Sequence, residues 1–223
     1  MSFTIIDEDD SFIVVDKPPG LLSVPGRGPD KQDCLITRVQ AIRPGVLLVH
    51  RLDRDTSGLL ILAKTPAAQR ALGRSFEHRL VDKTYTAVVW GTLQPSDASE
   101  WQTIDLPLII DWPARPKNKV CFETGRPSVT HWKRAVEQTG SWQPPVDHTR
   151  VVLQPVTGRS HQLRVHLLAL GHPILGDSLY GPGFGGHDEV ATCAPRLMLH
   201  ATTLSLPHPT TGVTMDWTSP PPF

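Results

Sequence analysis

An α+β fold built on a mixed, largely antiparallel β-sheet, flanked by helices and long loops, follows from three observations. Strand-like segments outnumber helical ones and do not alternate with them regularly. Turn formers, among them 22 prolines, fall mostly between those segments. With 223 residues and 39% hydrophobic positions the chain can bury one ordinary core, so a single domain over 1–223 is expected.

The elements follow in order. Phe12-Ile13-Val14-Val15 is an apolar run of strand length, and Pro18-Pro19-Gly20 ends it and opens a loop reaching Gly28-Pro29. Asp30 is placed to cap a helix running to about Ile42, where Pro44-Gly45 stops it. Leu59 to Ala63, behind Gly58, is a continuous apolar run, the pattern of a buried strand. Thr65-Pro66 supplies an N-cap and a first-turn proline for a helix from 66 to about 79. Alternation from Thr84 to Trp90, bounded by Gly91, gives a strand. Further strands are predicted at 101–106, 128–137, 149–155, 197–206 and 213–217. Leu163, Leu167 and Leu170 repeat at helical spacing within Ser160–Leu170, and Gly171 is a C-terminal stop.

Lysine plus arginine and aspartate plus glutamate both number 22, so no global positive field exists. The charge is nevertheless segregated. Residues 1–16 hold five acids and no base, whereas 112–134 hold six bases against Glu123, and 150–172 hold three arginines and no acid. Each cluster alone reads as solvated surface; two acid-poor segments together point to an anionic partner. The acidic start and the lack of a long apolar run disfavour secretion and membrane insertion. Cys34, Cys121 and Cys193 are far apart and in no metal-ligand spacing, so neither disulfides nor a metal site is indicated, and the cytoplasm is the expected compartment.

The densest polar patch beside an apolar strand is His50-Arg51-Leu52-Asp53-Arg54-Asp55-Thr56-Ser57-Gly58. A loop entering a buried strand holds a reactive side chain rigidly, and Asp53, flanked by Arg51 and Arg54, is the candidate carboxylate, able to act as nucleophile or base without a metal. On spacing alone, Asp53 and Asp55 read equally as turn residues neutralised by their neighbours. Ser57 with His50 lacks the GxSxG elbow of a hydrolase, and the glycines at 181–186 form no phosphate loop, so no nucleotide cofactor is implied. Tyr85, beside Lys83, suits either base stacking or core packing. Thr157 to Arg164 reads as a helix entrance suited to a phosphate, with His161 and Arg164 on one face, or as solvated surface.

Taken together, HRLDRDTSGLLILAK at 50–64, KTYTAVVWG at 83–91, TGRSHQLRVHLLALGHPILGD at 157–177 and RLMLHA at 196–201 resemble the RluA-type pseudouridine synthases. The similarity begins near Ile13, with VDKPPGLLSVPGR, and covers almost the whole chain. Residues 105–125 further resemble a short member of that family acting on both 23S ribosomal RNA and tRNA. The resemblance implies the pseudouridine synthase fold and isomerisation of uridine in structured RNA loops, with a 23S rRNA hairpin loop and the tRNA anticodon stem-loop as substrates. It implies no cofactor or metal, since the isomerisation gains no atoms and changes no oxidation state, and it implies neither DNA nor membrane as a partner.

By the same resemblance Asp53 is the catalytic aspartate, Tyr85 the tyrosine stacked on the target base, and Arg164 the cation paired with the carboxylate. Arg51 helps fill the gap left by the extruded nucleotide, His50 belongs to the same substrate-binding motif, and Leu199 packs under the site. Asp53 either attacks covalently or abstracts a ribose proton. An S4-type RNA-binding module, found in larger members, is not expected, and a monomer is the default. The Gly181 to Gly186 stretch is longer than its usual counterpart. A non-catalytic RNA-binding or RNA-folding factor would use the same basic segments without needing Asp53. A nucleoside-cleaving hydrolase would normally need a second carboxylate, for which only Asp55 is near in sequence.

Overall fold

The computed structural model describes residues 3–95, 101–135, 142 and 144–223. Contacts divide the chain into two compact units, Met1–Lys83 with His200–Pro220, and Thr84–Leu199 with Pro221–Phe223.

In the first unit the fully apolar run becomes the central strand. β1 (Thr4–Glu8) pairs antiparallel with β2 (Phe12–Lys17), and β2 with β4 (Ser57–Ala63). The short β3 (Leu47–Leu48) also pairs with β4, and β11 (Leu199–Pro207) meets β4 in parallel at His200 and Ala201 before pairing antiparallel with β12 (Thr214–Thr218). All seven residues of β4 are buried, which is why no alternation marks it in the sequence. One face packs Phe12, Val14 and Ile61 against Leu72, Leu204 and Trp217. Leu72 belongs to α2 (Pro66–Glu77), where Thr65 Oγ1 accepts from the Ala68 N–H and Pro66 opens the first turn, as the sequence predicts.

The second unit is an antiparallel run of β5 (Asp82–Trp90), β10 (His148–Pro155), β9 (Val129–Arg134) and β6 (Gln102–Asp105). Alternate residues of β10 are buried, and Val151 and Leu153 join Ala87, Val89, Leu163 and Leu167 in its core. The last two leucines come from α3 (Gln162–Ala169). A separate hairpin, β7 (Leu108–Ile110) with β8 (Asn118–Val120), packs Leu108 and Val120 beside Val165 and Tyr180.

The fold class holds, with corrections to its parts. The helix expected from Asp30 is a single 3-10 turn at Pro29–Lys31 followed by α1 (Leu35–Ile42), whose N-cap is Cys34. The Thr37 hydroxyl caps the Cys34 N–H, so the residue that begins this helix is three positions into it rather than ahead of it. Leu170 is 38% exposed and lies beyond α3, so only Leu163 and Leu167 of the predicted stripe reach the core. Strands β1, β3, β7 and β8 and the short α4 (Glu189–Thr192) had no sequence expectation; β1 is an acidic, mostly exposed strand with a bulge between Ile5 and Asp7. Positions 136–137 of the predicted 128–137 strand lie outside the described residues.

Two histidines are held inside the fold by their ring nitrogens. His50 Nε2 accepts the Ile61 N–H at 3.1 Å while its ring stacks on Phe76, and His166 accepts the Thr130 hydroxyl at Nδ1 and donates from Nε2 to the Leu106 carbonyl. Burial, reinforced by the Lys83 ammonium, pushes His50 down to about 3, and burial likewise lowers His166.

Two outcomes are expected. Gly58 has φ +110° and a Cβ there would lie 2.3 Å from the Ala201 carbonyl oxygen, so Gly58→Ala should cost at least about 2 kcal/mol by urea unfolding. Stability should be full above about pH 6.5 and fall as pH drops toward 3, because the unfolded chain takes up protons that folded His50 and His166 refuse. His50→Gln should flatten that slope between pH 7 and 4.5; an identical slope refutes the assignment.

Candidate active site

Asp53 sits in the loop between β3 and β4, and the backbone on either side of it is clamped. On one side, Ser23 Oγ donates to the Leu52 carbonyl at 2.7 Å and accepts the Leu52 N–H at 3.1 Å. On the other, Lys17 Nζ donates to the Arg54 carbonyl at 3.0 Å. The same ammonium donates to the carbonyls of Pro18 and Leu21, both at 2.8 Å. Lys17 is fully buried and Ser23 nearly so, and a buried ammonium is tolerable only when its three donors are matched in this way. Leu52 is buried beneath the loop, Asp53 is half-buried, and Arg51 and Arg54 are exposed. Arg54 turns to Asp55, with Nε 2.9 Å from Oδ1, so the neutralised turn pair of the sequence reading is Arg54 with Asp55.

The foot of β4 is fixed by a second chain. Ser57 Oγ donates to His200 Nδ1 at 2.7 Å, His200 Nε2 donates to the Ser219 carbonyl at 3.1 Å, and the Ser219 hydroxyl donates to Asp16. This buried arrangement ties β2, β4, β11 and the end of β12 together. Ser57 and His50 therefore have separate partners and make no nucleophile and base pair. His50, by its hydrogen bond to Ile61, pins the start of the loop to β4.

In the second unit Tyr85 lies on β5 opposite Leu153, its ring half-buried against the core. Leu199 is 3% exposed, a core residue at the start of β11. Arg164, in the first turn of α3, is 2% exposed and forms a two-pronged pair with Asp177, Nε to Oδ2 at 2.7 Å and Nη2 to Oδ1 at 2.6 Å. Asp177 Oδ1 also accepts the N–H groups of Leu179 and Tyr180, and the Tyr180 ring lies under the guanidinium at 5.0 Å. The guanidinium plane is thereby fixed on one edge and one face.

This burial corrects the reading of 150–172 as a phosphate track. Arg164 and His166 are enclosed, leaving Arg159 as the exposed cation of that segment, and the Arg159 N–H at the helix entrance is already used by Gln162 Oε1 at 3.0 Å. In the 112–134 segment Arg115, Lys119, Arg126, Lys133 and Arg134 are exposed, Arg115 stacks on the exposed Trp112, and Lys133 lies over Trp101. The glycine-rich stretch is ordered as a 3-10 turn, Phe184–Gly186, with the Gly183 N–H held by Asp188.

Four residues that carry this architecture, Lys17, Ser23, Asp177 and Tyr180, escaped the sequence reading. Lys17 had a local signal, a lysine closing an apolar strand before Pro-Pro-Gly, where a solvated lysine would be unremarkable. Asp177 had none, since its partner lies thirteen positions away on a helix face.

Known proteins agree with this architecture. Residues 11–169 match the family described as RNA pseudouridylate synthase. The chain is 49% identical over 98% of its length to a dual-specificity RNA pseudouridine synthase RluA of Escherichia coli K12, covering 93% of that protein. It is 50% identical over 96% of its length to the enzyme of the same name from Yersinia pestis, covering 96% of it. Among solved structures, human RNA Pseudouridylate Synthase Domain Containing 1 superposes with a TM-score of 0.79 at 31% identity, over 100% of this chain and 84% of that one. A clamped carboxylate loop on a mixed sheet, shared sequence over nearly its full length and a shared fold make this chain a member of the RNA pseudouridine synthase family.

Proposed function

We propose that the enzyme isomerises uridines in two RNA classes, a 23S rRNA hairpin loop and the tRNA anticodon stem-loop, with Asp53 as its catalytic carboxylate. The observation that supports the role of Asp53 is the pair of clamps on Leu52 and Arg54, which fix the backbone on either side of it beside a fully buried strand. Isomerisation breaks the bond from N1 to C1′, turns the uracil over, joins C5 to C1′ and releases the C5 proton while N1 gains one. Every atom stays, so the enzyme must supply a positioned base or nucleophile and a means of retaining the loose ring.

Asp53 starts bond cleavage, with Arg164 as the cation paired with its carboxylate. Tyr85 holds the detached uracil by stacking, which is worth about 1–3 kcal/mol per base. Arg51, exposed at the loop's rim, fills the space of the extruded nucleotide, and His50 and Leu199 support the substrate site from within the fold. Extrusion costs a few kcal/mol and least in unpaired loops, which favours hairpin substrates. The exposed cations between Arg115 and Arg134, interleaved with Trp101, Trp112 and Phe122, suit the phosphates and unstacked bases of such loops.

Carbodiimide-dependent reverse-transcription stops on tRNA and 23S rRNA transcripts test this reading. Wild type should produce stops in both RNAs. Asp53→Asn should reduce conversion at least about 100-fold while RNA affinity stays within about threefold. Full-rate conversion by the variant would remove Asp53 from the mechanism, stops in one RNA alone would remove the second substrate, and release of free uracil would indicate a hydrolase.

A further inference from the structure

Tyr180 brings together three elements that the reaction as described does not explain. Its ring is 6% exposed and lies face-on to the Arg164 guanidinium. Its hydroxyl oxygen accepts the backbone N–H of Asn118 at 2.8 Å, and lies 2.9 Å from His161 Nδ1. A phenol that accepts from Asn118 still has its own proton to give to His161. Asn118 opens β8, so the bond runs from the cation-bearing hairpin. A second bond parallels it, from Asn118 Nδ2 to the Ser160 carbonyl at 3.0 Å. His161 is the residue before α3, with φ +55°, a conformation uncommon for residues other than glycine. Leu108, Val120, Val165 and Leu168 pack with the Tyr180 ring in a small apolar cluster.

We infer that the Tyr180 hydroxyl is a positioning group for Arg164, fastening strand β8 and the left-handed turn at His161 to the ring on which the guanidinium rests. Asp177 fixes the guanidinium within its own plane. The Tyr180 face, under the guanidinium at 5.0 Å, constrains the tilt of that plane. The ring is in turn held by its hydroxyl, which meets Asn118 of β8 and His161 before α3. Removing the hydroxyl leaves the ring in place by packing but free to rock, with the Asn118 N–H and His161 Nδ1 without it. The inference rests on the assignment of Arg164 as the cation of the active site, and its test separates the two.

The test measures single-turnover release of tritium from a tRNA transcript carrying 5-tritiated uridine, with RNA affinity measured in parallel. The proteins are wild type, Tyr180→Phe, Arg164→Lys and the double variant. Tyr180→Phe should slow conversion at saturating RNA about tenfold while its RNA affinity stays within about twofold. In the Arg164→Lys background the same change should alter the rate by less than about twofold, since its effect acts through the guanidinium. In the RNA-free protein, the Nε–H resonance of Arg164, identified by its absence from Arg164→Lys, should move in Tyr180→Phe while the thermal midpoint drops only slightly. A Tyr180→Phe rate within about twofold of wild type, an unmoved Nε–H resonance, an equal loss in both backgrounds, or a loss confined to RNA affinity would each overturn the inference. Wild-type conversion by Arg164→Lys would instead overturn the role given to Arg164 itself.

Discussion

The structure around Asp53 depends on one buried ammonium. Lys17 closes strand β2 with its charge inside the protein, and its three donors collect the carbonyls of Pro18, Leu21 and Arg54. An ion taken out of water at this depth costs several kcal/mol unless its hydrogen bonds are replaced, so the loop carrying those carbonyls has little freedom to move away. The cost of burying the charge becomes rigidity in the chain beside Asp53. Ser23 completes the arrangement by holding both backbone groups of Leu52. The backbone on both sides of Asp53 is thereby held in place.

The same logic recurs in the second unit, with a carboxylate in place of carbonyls. Arg164 is buried and satisfied by Asp177, which two backbone N–H groups hold in turn. Both centres use a buried ion with matched partners, one to shape backbone and one to aim a side chain. Imidazoles do comparable work through hydrogen bonds: His50 holds β4 through Ile61, and His200 joins Ser57 to Ser219.

Much of this was legible in the sequence, and the pattern of success is physical. Two local signals held: Thr65-Pro66 capped its helix, and alternation along 84–90 gave a strand. The loop at His50 to Gly58 announced itself by packing charge against an apolar run. Whatever depended on partners distant in sequence was hidden. Cys34 begins α1 through a side-chain bond that no propensity marks, and β1 is acidic because its outer face is solvated. From its neighbours alone Arg164 suited either a phosphate site or solvated surface, and only the fold supplies Asp177. The small strands of the β7 and β8 hairpin, three residues each, are too short to show a period.

The first unit is assembled from segments far apart in the chain, with β11 adding to β4 and β12 to β11 only after the second unit has been read out. On the ribosome, the sheet edge of β4 that later receives His200 and Ala201 must therefore wait while more than a hundred intervening residues emerge. Long-range pairing of this kind is slow and leaves an apolar edge open to other chains in the meantime. The enzyme's vulnerability during synthesis thus lies at the strand that afterwards is its best protected, and translation speed through the intervening segment sets how long that edge stays bare.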